Sequence, residues 1–193
     1  MTYPEPRNCT PQMHGLIFQT CKTYVIERTD EASWAKVLEH AGIEPRLYLP
    51  VSHYPEDELV AILESVAALS GHDRMAVERD FGRTLAPELL QTFRAHWRDD
   101  WELVHLLENL EGIAEELRTK TAENDPPLVT CTRTDTGLQV TYRSHRDHPA
   151  LAHGVLEGVA AVFDDDRRVR RLETTRDAGE TRCVFVLEES TES

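Results

Sequence analysis

The sequence has little basic charge. It carries 35 acidic residues against 21 basic ones, which gives a formal net charge of −14, and only three of the basic residues are lysines. A protein that binds nucleic acid needs a basic face to contact the phosphates. The charge balance therefore argues against a nucleic-acid partner.

Long apolar runs are also absent. No stretch of 18 apolar residues occurs, so we expect no membrane-spanning helix. The first dozen residues have neither the basic start nor the apolar stretch of a secretory signal. We expect residues 1–12 and 190–193 to form short tails and residues 13–189 to form a single domain.

Cysteine is scarce as well. The four cysteines lie far apart, and none has the CxxC or CxxH spacing of a structural zinc site. We therefore expect no metal site of that kind, reduced thiols and a cytoplasmic location. The chain also has no phosphate-binding loop, no nucleotide fingerprint and no nucleophile–base pair with a helpful spacing. An enzymatic role is not expected.

What is present before residue 122 is mostly helical patterning. A clean helix is predicted over 30–43, with Thr29 or Asp30 as its N-cap and Gly42 at its end. Further helices are expected over 13–29 and 55–71, in a shorter segment from Asp73 that breaks at Gly82 and Pro87, and over about 95–121, the longest.

After residue 127 the pattern changes to alternation. Two hairpins are predicted, turning at 135–137 and 177–179, and the apolar segment 149–163 between them is predicted to form a buried helix. Helices followed by hairpin, helix and hairpin indicate an α+β fold, in which an antiparallel sheet has helices gathered beside it.

The end of the first hairpin carries a set of polar side chains with a period of two. In "QVTYRSHRDH", Tyr142, Ser144 and Arg146 continue one face of the strand. A guanidinium beside two hydroxyls suits an anion with several acceptor oxygens, such as a pair of carboxylates. The alternative from spacing alone is that Arg146 pairs with a local acid such as Asp147 while Tyr142 packs.

These residues match the Tyr-x-Ser-x-Arg signature of the heme-nitric oxide/oxygen binding (H-NOX) domains, which the chain resembles. The "MHGLIF" start, "SWAKVLEHAGI", "LLENLEGI", "DPPLVTC" and "GVLEGVAAVF" resemble family segments in the same order. The resemblance implies a helical N-terminal part packed on a four-stranded antiparallel sheet with helices. It also implies a heme whose propionates are held by the three polar residues, and a sensory role toward a histidine kinase or cyclase in trans.

The chain departs from the family where the iron ligand is expected. The family helix ends its motif with the axial histidine, and here that position is Ala114, whose methyl group cannot coordinate iron. By resemblance, Pro127 follows the ligand helix, and the distal pocket is lined by Ile17, Cys21, Ala86, Leu90 and Leu151. No tyrosine stands among these distal residues, which favours NO or CO over oxygen if iron is present.

Four other residues are candidates for a replacement ligand or lie near the triad. His105 lies nine residues before Ala114 and is predicted on the opposite side of the helix. Cys21 offers a thiolate, against the alternative of a small core cysteine. His145 and His148 flank the polar triad, and we expect both to be exposed.

Two functions therefore stand as hypotheses. In the first, the chain binds heme or a related tetrapyrrole with a non-standard or absent protein axial ligand, and signals the state of that cofactor. In the second, it binds no heme and serves as an interaction or scaffold domain, or it holds another apolar carboxylate.

Overall fold

The computed structural model describes residues 11–120, with the side chain of residue 120 excepted, and residues 126–189. The chain divides into two compact units at the Gly71–His72 boundary. The tails predicted at 1–12 and 190–193 lie almost wholly outside the described residues, although the first strand begins at Gln12. The single domain over 13–189 stays a prediction.

The first unit is a small helical assembly with one short strand pair. Its elements are β1 (Gln12–His14), α1 (Gly15–Arg28), α2 (Glu31–Ala41), β2 (His53–Pro55) and α3 (Glu56–Ser70). β1 and β2 pair antiparallel. The predicted caps of α2 are confirmed: the Asp30 carboxylate accepts from the N–H of Ser33 at 2.7 Å, and Gly42 ends the helix at a φ of 69°.

The second unit contains the sheet. Its elements are α4 (Arg74–Thr92), a 3-10 turn (Arg94–His96), α5 (Leu103–Lys120), β3 (Leu128–Thr134), β4 (Gly137–Ser144), α6 (Pro149–Val162), β5 (Arg168–Asp177) and β6 (Glu180–Glu188). The four strands form an antiparallel sheet in the order β3-β4-β6-β5. Both hairpins and the helix between them confirm the predicted α+β order.

The predicted break in α4 is wrong. The helix runs through Gly82 and Pro87, although proline removes one helical hydrogen bond. Gly82 is needed because α6 passes so close that a β-carbon there would lie 2.5 Å from the carbonyl oxygen of Leu151. Packing between the two helices therefore overrides the local helix-breaking signals.

The predicted start of α5 near residue 95 is also wrong. The helix begins at Leu103, and Trp97 and Trp101 lie in the preceding segment. Arg98 Nε donates to the Asp100 carboxylate at 2.8 Å. Residues two apart do not face each other on a helix, so this pair belongs to a non-helical turn.

Among the described residues, no helix combines the length and the apolar character that a membrane crossing requires.

Candidate ligand-binding site

The predicted triad lies where β4 ends and the chain turns toward α6. Tyr142 is half-buried, with Val129 of β3 and Cys183 of β6 as its neighbours across the strands. Ser144 is 7% exposed, and its Oγ accepts the backbone N–H of Arg146 at 3.1 Å. This bond closes a local turn that fixes the backbone of Arg146, whose side chain is half-buried with its Nε fully shielded from solvent.

The next residue, Asp147, is held by the second hairpin. Arg176 Nε donates to both carboxylate oxygens at 2.9 Å, and the hydroxyl of Thr181 donates to one of them at 3.1 Å. The hydrogen bond from Arg176 holds the pKa of Asp147 below its usual value, against the opposing effect of partial burial. The turn that carries Arg146 is thereby tied to the β5–β6 hairpin.

The expectation that His148 is exposed is wrong, whereas His145 is exposed as predicted. His148 is 3% exposed, and its Nδ1 lies 3.6 Å from Oε1 of Glu78, a residue of α4 that is itself 4% exposed. Arg74 Nε donates to the same oxygen at 3.0 Å. The imidazole is buried against this carboxylate, which lies 70 residues earlier in the chain.

Ala114 lies on the buried side of α5 and is 6% exposed. Leu110 and Ile113 beside it pack against the core under the sheet. His105, in contrast, is exposed, and its Nδ1 accepts the backbone N–H of Glu102 at 3.2 Å at the start of the helix. Its position agrees with the prediction that it faces away from Ala114.

The proline segment adjoins the other end of α5. Arg118 donates to the carbonyl oxygen of Pro126 at 2.9 Å, and Pro127 is half-buried just before β3. On α6, Leu151 is buried, as are Ala86 and Leu90 on α4. The second unit thus contains the triad, Ala114, Pro127 and these apolar residues.

Ile17 and Cys21 belong to α1 in the first unit. Ile17 is half-buried and Cys21 is fully buried. Burial raises the pKa of the Cys21 thiol to about 12, so it is protonated at neutral pH. This protonation favours the small core cysteine over the thiolate ligand.

Sequence reasoning missed Glu78. Its neighbours Val77 and Phe81 are buried, so a lone acid stands on the apolar side of α4. An acidic residue within a buried stripe is the signal that points to a partner elsewhere in the chain. Within the described ranges, no group of three or more histidine, cysteine, aspartate or glutamate side chains has the arrangement of a metal site.

The sequence matches a known protein family over most of its length. Residues 14–171 match the Haem-NO-binding family. The chain belongs to this family. No curated protein matches the sequence significantly.

Solved structures of H-NOX domains share the fold. A Cs H-NOX mutant carrying 4-cyano-L-phenylalanine has a TM-score of 0.83 at 20% identity, with 92% of this chain and 97% of that one covered. A mutant of the T. Tengcongensis H-NOX has a TM-score of 0.82 at 20% identity, covering 92% and 98%. An oxygen-binding H-NOX domain related to soluble guanylate cyclases has a TM-score of 0.77 at 20% identity, covering 92% and 96%. At this identity the likeness establishes the fold, and the family match agrees with it.

Proposed function

We propose that this H-NOX domain binds heme or a related tetrapyrrole through Tyr142, Ser144 and Arg146, without an axial ligand from position 114. In this proposal it reports NO, CO or the state of the cofactor to a histidine kinase or cyclase in trans. The observation that carries it is the turn in which Ser144 Oγ accepts the N–H of Arg146. That bond holds two members of the triad in one fixed arrangement.

The donor chemistry of the triad fits an acidic macrocycle. Arg146 can bond a carboxylate at two points, and the Ser144 hydroxyl still has a proton to donate after accepting from Arg146. Burial of an apolar macrocycle is favourable at about 25 cal/mol per Å² of apolar surface. Binding therefore does not depend on a metal bond alone.

The residue at position 114 does not fit a metal. A buried methyl offers no lone pair, and Leu110 and Ile113 beside it are apolar. When bound, an iron tetrapyrrole would supply the gas-binding metal, and this chain would supply the carboxylate clamp.

The test of the clamp is titration with iron protoporphyrin and with metal-free protoporphyrin. We expect both to bind the wild-type protein. Arg146→Ala should weaken both by about ten- to a hundredfold, because a charge-assisted hydrogen bond contributes about 1.5–3 kcal/mol. Arg143→Ala is the matched control, since Arg143 is exposed on the same strand and donates to Glu180 at 2.8 Å. Equal affinity in the Arg146 and Arg143 variants would refute the clamp.

A second experiment tests the position assigned to the axial ligand. Ala114→His should change the absorption spectrum of the iron protoporphyrin complex from that of wild type, because an added imidazole would stand where the family places its axial ligand. Leu110→His, one helical turn earlier, is the control for register. A spectral change in the Leu110 variant alone would show that the register is misassigned.

The second candidate function is a heme-free interaction domain or a binder of another apolar carboxylate. The methyl group at position 114 is the observation that favours it. Mass spectrometry of small molecules extracted from the native protein separates the two. A stoichiometric tetrapyrrole would exclude the second candidate, whereas a native protein that neither contains nor takes up a tetrapyrrole would exclude the first.

A further inference from the structure

A buried imidazole–carboxylate pair begins two residues after Arg146 in the chain. His148 and Glu78 are both at least 95% buried, and Nδ1 of the imidazole lies 3.6 Å from Oε1 of the carboxylate. Arg74 Nε donates to the same carboxylate oxygen at 3.0 Å. Burying two ionisable groups is costly. A pair of this kind is therefore an unexpected feature of a protein interior.

The second buried histidine in the described part of the chain has a structural explanation. His153 packs its ring against Phe185, with Nε2 3.2 Å from the carbonyl oxygen of Val169 and 3.7 Å from a carboxylate oxygen of Glu157. Its ring therefore links α6 to the sheet, and it lies beside the Glu157 carboxylate that Arg79 and Arg83 of α4 also contact. His148 has a different setting, because it stands before α6 in the turn that carries Arg146.

The chain places His148 between two residues already assigned to the ligand. It follows Arg146 by two residues and precedes Leu151 by three, a spacing that keeps it near Leu151 at the start of α6. Between Arg146 and Leu151, the two residues assigned to the tetrapyrrole, the chain has one imidazole, that of His148.

The carboxylate also sets the chemistry of the ring. The Glu78 carboxylate lies 3.6 Å from Nδ1, which is longer than a hydrogen bond, but its negative charge favours a proton on that nitrogen. The lone pair then remains on Nε2, the form in which a histidine beside a carboxylate binds metals. Arg74 offsets the charge of Glu78 and fixes its position. Glu78 therefore favours the tautomer that a metal requires.

We propose that His148, oriented by Glu78, is the non-standard axial ligand, supplying the imidazole that this chain lacks at position 114. The inference rests on the proposed function, since it requires a tetrapyrrole at the clamp. Glu78 is a positioning residue in this account, and His148 is the residue that contacts the metal.

The test compares iron protoporphyrin with metal-free protoporphyrin in the full chain. Absorption and resonance Raman spectra of the wild-type iron complex should carry the signature of an iron–histidine bond. His148→Ala should lose that signature while binding metal-free protoporphyrin within about twofold of wild type. His145→Ala, which removes an exposed histidine three residues earlier, should keep the signature.

Two further variants distinguish loss of the ligand from a folding defect. His148→Gln keeps a polar side chain of similar size beside Glu78 and should also lose the signature. Glu78→Gln keeps the imidazole but removes its charged partner, and should weaken iron protoporphyrin binding about 10- to 100-fold with little effect on the metal-free ligand. The thermal unfolding midpoint of each variant shows whether it folds.

The outcomes separate the two proposals. If the wild-type protein binds neither porphyrin, the proposed function fails. If both porphyrins bind and the histidine signature is absent, or survives in His148→Gln, the ligand assignment fails while the clamp stands. Equal losses of affinity for both porphyrins in His148→Gln would assign the residue a packing role and would also overturn the inference.

Discussion

The turn over residues 144–148 leads directly into α6, yet the turn and the α4–α6 helix pair are held by different forces. The helices meet at glycines: a β-carbon on Gly154 would lie 1.9 Å from the carbonyl oxygen of Arg79, and one on Gly158 would lie 2.6 Å from the β-carbon of Ala86. The turn is held by polar side chains: Ser144 Oγ accepts the backbone N–H of Arg146 within the turn, and Asp147 accepts from Arg176 and Thr181 of the second hairpin.

The helix pair and the turn therefore play different roles. Contacts of the first kind specify the fold, and contacts of the second kind can specify a ligand. Where backbones touch, no side chain is tolerated, so the helix pair constrains residue identity tightly. Where side chains make the contact, one polar group can replace another without moving the backbone. A family member can therefore keep the H-NOX fold while its ligand chemistry changes.

The largest effect is expected from Gly154→Ala, at the close approach of α4 and α6. The added methyl would meet the backbone of Arg79, which no rotamer change can relieve. We expect the free energy of unfolding to fall by about 3 kcal/mol or more, at the upper end of overpacking effects. Urea unfolding followed by circular dichroism measures this loss.

The control is Gly112→Ala on the exposed side of α5, where a β-carbon meets nothing within 4 Å. Alanine is a better helix former than glycine, so this variant should gain about 0.5–1 kcal/mol. If the two variants were equally stable, the helices would not be in backbone contact at Gly154.

Glu157→Gln tests the polar contacts that surround the glycines. Arg79 and Arg83 both donate to this carboxylate, with Nε distances of 2.9 Å, and Glu157 is only 18% exposed in its side chain. Because both guanidiniums are partly solvated, we expect a loss of about 1–2 kcal/mol in urea unfolding. Glu108→Gln, which removes a carboxylate bonded to the exposed Arg133, should cost far less.

The same variant has a pH dependence of known sign. Burial raises the pKa of Glu157, but the hydrogen bonds from Arg79 and Arg83 outweigh it and leave the pKa below its usual value. A lowered folded-state pKa means that the stabilisation is present above the usual glutamate pKa and is lost as the pH falls through the lowered value. The difference between wild type and Glu157→Gln should therefore shrink on acidification, and a constant difference would contradict the ion pair.

The elements that sequence predicted correctly are those set by neighbours in the chain. The Asp30 cap, the Gly42 stop and the turn at Ala178 and Gly179 with φ of 48° and 80° are local signals with local consequences. The Tyr-x-Ser-x-Arg spacing likewise placed its three residues at one strand end.

The features that sequence missed depend on contacts between distant segments. Gly82 predicts a break in an isolated helix, and only the approach of α6 turns it into a requirement of the fold. His148 is polar and follows a turn, so its local sequence predicts an exposed side chain. Its burial depends instead on Glu78 of α4. Neither partner is visible in the local pattern.

The smallest effect is expected from Asp147→Asn, in the turn before α6. Its pair with Arg176 is more than half exposed on both sides, at 55% and 57%, and asparagine can still accept from Thr181. We expect a loss below about 1 kcal/mol that shrinks at high salt, as for other surface ion pairs. Because the hydrogen bond from Arg176 lowers the pKa of Asp147, the loss should also disappear as the pH falls through that lowered value. Urea unfolding at low and high salt measures this loss of stability. A loss as large as that of Glu157→Gln would mean that the turn tolerates substitution no better than the ion pairs between α4 and α6.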